Sequence, residues 1–144
     1  MNNLQKITSE QFTKRLANLC LRSGLAGMPK DEADQHILLK SAALLVGTSA
    51  PLTEKEVTEK LQVWLTQVCV IKNFDRVTLR RWMVDMGYLT RSSNGTSYQV
   101  AQPGPLPELF DAAVDQIDVL ETIQAAREEM ARRKQAFLAK SQGA

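Results

Sequence analysis

Asp75-Arg76-Val77-Thr78-Leu79-Arg80-Arg81-Trp82-Met83-Val84-Asp85-Met86-Gly87 runs directly into Tyr88-Leu89-Thr90-Arg91-Ser92-Ser93-Asn94-Gly95-Thr96-Ser97-Tyr98-Gln99-Val100. The first half reads as a short helix from about Asp75 to Met86. Leu79, Trp82, Met83 and Met86 fall at i, i+3, i+4 and i+7 and make one apolar face. Val77, Arg80, Arg81 and Val84 stand opposite, with Arg76 to one side. Gly87 is suited to the left-handed residue that ends a helix. The second half reads as a hairpin. Leu89 to Ser93 and Thr96 to Val100 flank Asn94-Gly95, the pair favoured in a two-residue type I′ turn. That register sets Leu89 opposite Val100 and Arg91 opposite Tyr98. Two short strands are not stable alone in water, so the hairpin must lie on the helices.

Working upstream, Thr53-Glu54-Lys55-Glu56 is a capping box, with Leu52 and Val57 placed as its hydrophobic staple. The two devices are worth roughly 1–2 kcal/mol of local stability. Val57, Leu61, Trp64 and Val68 continue that helix as a stripe. Before it, Gly47-Thr48-Ser49-Ala50-Pro51 is a turn, and Ala50-Pro51-Leu52 a short extended piece. The preceding helix starts near Asp31, with Glu32 and Asp34 in its first turn, where the helix dipole favours negative charge. From Ile37 to Val46 only Lys40 and Ser41 are polar, so this helix belongs in the centre. A first helix over 8–21 is capped by Thr8 and buries Phe12, Leu16 and Leu19. Gly24-Leu25-Ala26-Gly27 breaks it.

Downstream, Gln102-Pro103-Gly104-Pro105-Leu106-Pro107 bars helix and ladder alike. A last helix is expected from about Glu108 to Lys140, with Phe110, Ala113, Val114, Ile117, Leu120 and Ile123 as its stripe. Thirty residues make a rod of roughly 45 Å, longer than the core beside it. The expected organisation is an N-terminal helical extension over 1–27, a core domain over 28–101, a Pro-rich linker over 102–107 and a C-terminal helix over 108–144.

Helix, short extended piece, helix, short basic helix and two-stranded hairpin is the order of a winged helix-turn-helix. The fold class expected is therefore mainly α, a winged helix-turn-helix core with a two-stranded wing, an N-terminal helix and a long C-terminal helix. In that fold the helix before the hairpin enters a DNA major groove. Arginine suits such a helix, because its planar fork meets phosphate oxygens, or O6 and N7 of guanine, in two parallel hydrogen bonds. Arg76, Thr78, Arg80 and Arg81 are the expected groove and phosphate contacts. Arg91 and Asn94, on a small polar wing tip with Ser92, Ser93 and Thr96, are expected at the backbone. The other reading of the same face is a solvated surface or a protein-docking module, with Arg80 and Arg81 paired to nearby acids and Val77 and Val84 as its apolar flank.

Met28-Pro29-Lys30, His36-Ile37-Leu38-Leu39-Lys40, Thr53-Glu54-Lys55-Glu56-Val57, the run from Asp75 to Asp85, Gly87-Tyr88-Leu89-Thr90-Arg91, Gly95 and Tyr98 carry a family resemblance. Over about residues 28–100 the chain resembles the bacterial domain-of-unknown-function family numbered twenty eighty-seven, regarded as winged-helix and transcriptional-regulator-like. The resemblance implies Thr78, Arg80, Arg81 and Arg91 as the positions to watch, and brings no established activity. Two positions depart from the family pattern. Thr58 stands where the family usually has asparagine, and Gln99 where an aromatic often follows the hairpin tyrosine.

Charge supports a modest electrostatic role. The chain carries 18 Lys and Arg against 16 Asp and Glu, a net +2. Residues 75–100 carry four basic and two acidic groups, while the last helix places Glu108, Asp111, Asp115, Asp118 and Glu121 before Arg127, Arg132, Arg133, Lys134 and Lys140. Acidic half against basic half suits an antiparallel homodimer through that helix; folding back on its own core is the alternative. A dimer would present two groove helices and raise affinity through effective concentration.

No enzyme pattern stands out. His36 is single, Cys20 and Cys69 lack metal-ligand spacing, and neither GxGxxG nor GxxxxGK[ST] occurs. Asp111, Asp115 and Asp118 resemble a metal ridge only in spacing, and the start of a helix explains them. No catalytic residue, metal or cofactor is expected. The start of the sequence has no signal-peptide core and no apolar run spans a bilayer, and two free thiols suit a reducing compartment. The expectation is a cytoplasmic, bacterial, non-membrane protein whose partner is double-stranded DNA.

Overall fold

Four helices in succession begin on a residue whose side chain closes the first turn. The computed structural model describes residues 4–21, 25–47 and 51–142. Thr8 opens α1 (Ser9–Leu21); its hydroxyl accepts from Gln11 N at 3.1 Å, and Gln11 Oε1 accepts from Thr8 N at 3.0 Å. Asp31 caps α2 (Glu32–Val46) by accepting from Asp34 N at 2.9 Å. Thr53 and Glu56 form the expected reciprocal box at the start of α3 (Glu54–Gln67), at 3.1 and 2.9 Å. Asp75 caps α4 (Arg76–Asp85) by accepting from Thr78 N at 2.8 Å. Each cap satisfies an amide that the helix itself leaves unpaired.

The near-continuous apolar run of α2 is central, with Ile37, Leu38, Leu39 and Ala42 fully buried between α1 and α3. Its two buried polar groups are satisfied. Ser41 Oγ donates to Leu38 O at 2.7 Å and accepts from Trp64 Nε1 at 2.8 Å. The Tyr88 hydroxyl stands 2.7 Å from His36 Nδ1. Cys20 and Cys69 are buried free thiols in mutual contact, and that contact together with burial pushes the Cys20 pKa up. The sequence turn at Gly24, the side chain of Arg22, and Thr48-Ser49-Ala50 lie outside the described residues.

The wing has the expected register. β1 (Leu89–Arg91) pairs antiparallel with β2 (Tyr98–Val100), Leu89 opposite Val100 and Arg91 opposite Tyr98. Its other edge is occupied: Leu52 and Tyr98 exchange two backbone hydrogen bonds of 2.7 Å, so the extended piece before α3 adds one residue of a third strand. The turn differs from expectation. Gly95 N donates to Ser92 O, and of Asn94 and Gly95 only Gly95 has positive φ, at 73°. A type I′ turn needs positive φ at both central residues. Here the Asn94 side chain decides against it, its Oδ1 accepting from Ser92 Oγ, Thr96 N and Thr96 Oγ1 within the tip.

The C-terminal region also departs from the expected single rod. The proline segment lies across the base of the wing, where Ala101 N donates to Tyr88 O and Pro105 packs against Gly87. Ile7 then pairs with the chain after it, donating to Leu109 O at 2.7 Å and accepting from Asp111 N at 2.9 Å. Phe110 meets Phe12 edge-on at 5.7 Å. A 3-10 turn over Ala112–Gln116 follows, and Ile117 is extended. The long helix α5 starts only at Val119 and runs to Gln142, with Asp118 accepting from Glu121 N. Pairing Leu109 and Asp111 with Ile7 takes their backbone out of helical geometry, so the helix restarts at the next available cap. Its first part folds back on α1 and α2 through Val119 and Ile123. Among the described residues, no helix is long and apolar enough to cross a membrane.

Candidate nucleic-acid interface

Leu79 and Met83 are fully buried and fix α4 against α3 and the wing, with Trp82 and Met86 half-buried beside them. That anchoring decides where the remaining side chains go. Arg76 and Arg81 are exposed, and Val77, Thr78 and Val84 are half-buried. Thr78 spends its backbone N–H on Asp75, whose carboxyl that bond holds below the ordinary carboxylate range.

Arg80 is placed differently from its neighbours. Its side chain is only 15% exposed. Nη1 donates to Thr58 Oγ1 at 2.7 Å and lies 3.3 Å from Glu54 Oε1, and the guanidinium sits 5.5 Å over the Tyr98 ring. Arg80 therefore clamps α3, α4 and the wing together. Glu54 and Thr58 share one face of α3 at i, i+4, a spacing the sequence displays. The partner they share, twenty-two positions beyond Thr58, is what the sequence does not display. Thr58 supplies the hydroxyl oxygen that accepts from Arg80.

The stack on Tyr98 also orients the wing. Arg91 lies directly opposite Tyr98, and opposed residues share a face of a sheet. Arg91 therefore leaves the hairpin on the side of α4. Its guanidinium crosses the tip at Gly95, where a Cβ would stand 2.5 Å from Nη2. Asn94 turns its carboxamide oxygen inward to three donors. Of the six residues expected at DNA, Arg76, Arg81 and Arg91 are exposed cations with no ion pair among the described residues. Arg80 and Asn94 hold the site's shape.

Between α3 and α4 runs an open groove of about 740 Å³, lined by Glu54, Lys55, Thr58, Glu59, Gln62, Arg76, Val77 and Arg80. Lys55 adds a cation at the start of α3 that the sequence reading did not assign. Glu54 and Glu59 add two carboxylates that moderate the field. Among the described residues no cluster of His, Cys, Asp and Glu is arranged to hold a metal ion.

No curated protein and no solved structure matches the chain. A family model does, over residues 24–100, from just before α2 to the last residue of β2. That span contains α2, α3, α4 and the wing, and it covers more than half of the 144 residues. The chain thus belongs to the DUF2087 family, described as an uncharacterized protein conserved in bacteria.

Proposed function

We propose that this is a double-stranded DNA-binding protein of the winged-helix type, a transcriptional regulator acting without catalysis or cofactor. α4 would enter the major groove, Arg76 and Arg81 making phosphate and base contacts with Thr78 at the helix start, and Arg91 would reach the backbone from the wing. The observation that supports this is the Arg80–Tyr98 stack, which joins α4 to the face of the wing that Arg91 shares with Tyr98. Arg80 and Asn94 support that surface rather than read it.

Three free arginines give limited affinity, so a homodimer through α5 is the assembly that fits a sequence-specific binder. Selection of bound sites from a random duplex pool tests the reading, with Arg76→Ala plus Arg81→Ala as the control. Enrichment of a motif by the wild type and its loss in the double variant is the expected result. Equal binding by both would remove the site. A second reading, a protein-docking module, is favoured by Glu54, Glu59 and Val77 in the same groove. Salt separates the two. DNA binding weakens steeply as salt rises, and an apolar dock barely responds.

A further inference from the structure

Asn-Gly occurs once in the sequence, at residues 94 and 95, and the fold places it at the exposed tip of the wing. The pair carries a chemistry of its own. Glycine has no side chain to shield its amide, so the Gly95 nitrogen can attack the carboxamide carbon of Asn94. The tip favours that attack in three ways.

The carboxamide is folded forward. Thr96 N donates to Asn94 Oδ1 at 3.1 Å, an Asx turn across Gly95. A backbone N–H only donates, so the side-chain atom it meets is the oxygen. Closing this turn curls Asn94 Cγ over the peptide bond to Gly95. Cγ, Cβ, Cα and C of Asn94 with N of Gly95 are the five atoms of a succinimide ring, already bent in the direction of closure.

The carboxamide oxygen is polarised. It also accepts from Ser92 Oγ at 2.8 Å and from Thr96 Oγ1 at 2.7 Å. Three donors on one oxygen draw electrons from Cγ and would hold the negative charge that attack places there. All three contacts fall on oxygen, which leaves the nitrogen as the side that departs.

The nucleophile lies beside a cation. The Arg91 guanidinium crosses Gly95, and a positive charge there eases loss of the amide proton. That amide donates to Ser92 O at 2.9 Å, one bond to open at the tip. Asn94 is exposed, so hydroxide and water reach the pair.

We propose that Asn94-Gly95 is a site of self-modification, where the wing tip converts its own carboxamide to a carboxylate. Hydroxide takes the Gly95 N–H proton, the N–Cγ bond forms, and the Cγ–Nδ2 bond breaks. The nitrogen leaves as ammonia with a proton from water, which restores the hydroxide. Water then opens the ring at either carbonyl and gives an aspartyl or an isoaspartyl linkage. One water is consumed and one ammonia released, with no change of oxidation state. Either product sets a carboxylate near Arg91, and the isoaspartyl form adds a methylene to the chain inside the tip. Both weaken the contact of Arg91 with a DNA backbone. That consequence rests on the DNA-binding reading; the chemistry does not.

Peptide mapping of the full chain after days in mildly alkaline buffer tests the site. The mass gain of an amide-to-acid conversion is expected at Asn94, with isoaspartyl product, and not at Asn18-Leu19 or Asn73-Phe74. The folded chain should convert at least as fast as the same chain unfolded in guanidinium chloride. Ser92→Ala plus Thr96→Val removes two of the three donors and should slow the folded chain roughly tenfold. A folded chain slower than the unfolded one, or a double variant no slower than wild type, would overturn the proposal. Duplex binding reads the consequence separately. Asn94→Asp should bind severalfold more weakly than wild type, and equal binding would overturn the link to Arg91. A wild type that binds no duplex would remove the DNA reading, and the mapping result would still decide the chemistry.

Discussion

Arg80 Nη1 lies 2.7 Å from Thr58 Oγ1, and this bond joins the helix before the wing to the helix before that. Arg80 and Arg81 are adjacent in sequence, yet one is enclosed and the other free. Two neighbouring arginines therefore do different work.

The first prediction separates them. Arg80→Ala removes a charge-assisted hydrogen bond and a cation–π contact from a mostly buried site. It should cost about 1–3 kcal/mol of stability. The exposed Glu54 end of the ion pair adds little to that. Arg81→Ala should change stability by less than about 0.5 kcal/mol while weakening duplex binding. Urea unfolding and fluorescence anisotropy, run on both variants, check the pair. Equal stability losses would show that Arg80 is no clamp.

Salt gives the second. If Arg76, Arg81 and Arg91 are the phosphate contacts of one subunit, the slope of log K against log salt should be about −3, and about −5 for a dimer. Each arginine replaced by Ala should reduce the slope by about 1 per subunit. A slope near zero would favour the docking module.

The third concerns acid. Burial pushes the His36 pKa below the ordinary imidazole value, against the opposing pull of Glu32, whose Oε1 is 3.9 Å from Nε2. In the neutral tautomer that carries its proton on Nε2, beside Glu32, the Tyr88 hydroxyl donates to Nδ1. As pH falls, the unfolded chain takes up this proton first. Stability is thus complete above about pH 6.5 and is lost as pH falls through the lower folded value. Denaturant midpoints at pH 7 and pH 5 should differ less in His36→Gln than in wild type. An unchanged difference would mean that other groups set the acid sensitivity.

Gly95 supplies the fourth. Its φ of 73° disfavours a side chain, and a Cβ there would press on the Arg91 guanidinium. Gly95→Ala should cost about 1–2 kcal/mol and weaken DNA binding by displacing Arg91. Gly27→Ala, where a Cβ would meet nothing within 4 Å, is the control. A Gly95→Ala variant as stable as the control would argue that the tip is not held in this form.

Much of the fold was legible because its signals are local. The capping box at Thr53 spans three positions and the Leu89–Val100 register eleven across one tight turn, and each is observed. The misplaced features depend on distant partners. Phe110, Val114 and Ile117 keep a helical spacing, but Ile7 takes up the backbone beside Phe110 and the helix waits until Val119. Asn94-Gly95 favours a type I′ turn by composition, and a carboxamide folded onto Thr96 selects another. At the interface, periodicity placed Arg80 and Arg81 on one outward face. It carried no information about an α3 face bearing Glu54 and Thr58, nor about a tyrosine eighteen residues on.

The family model spans residues 24–100, but the backbone pairing of Ile7 with Leu109 and Asp111 lies wholly outside it. The two flanks meet each other over the shared core and seat Phe12 against Phe110 there. Either flank removed alone would strip its mate of hydrogen bonds and leave an aromatic ring in water. The segments on both sides of the matched span thus act as two halves of one buckle, each holding its place only while the other is fastened to it.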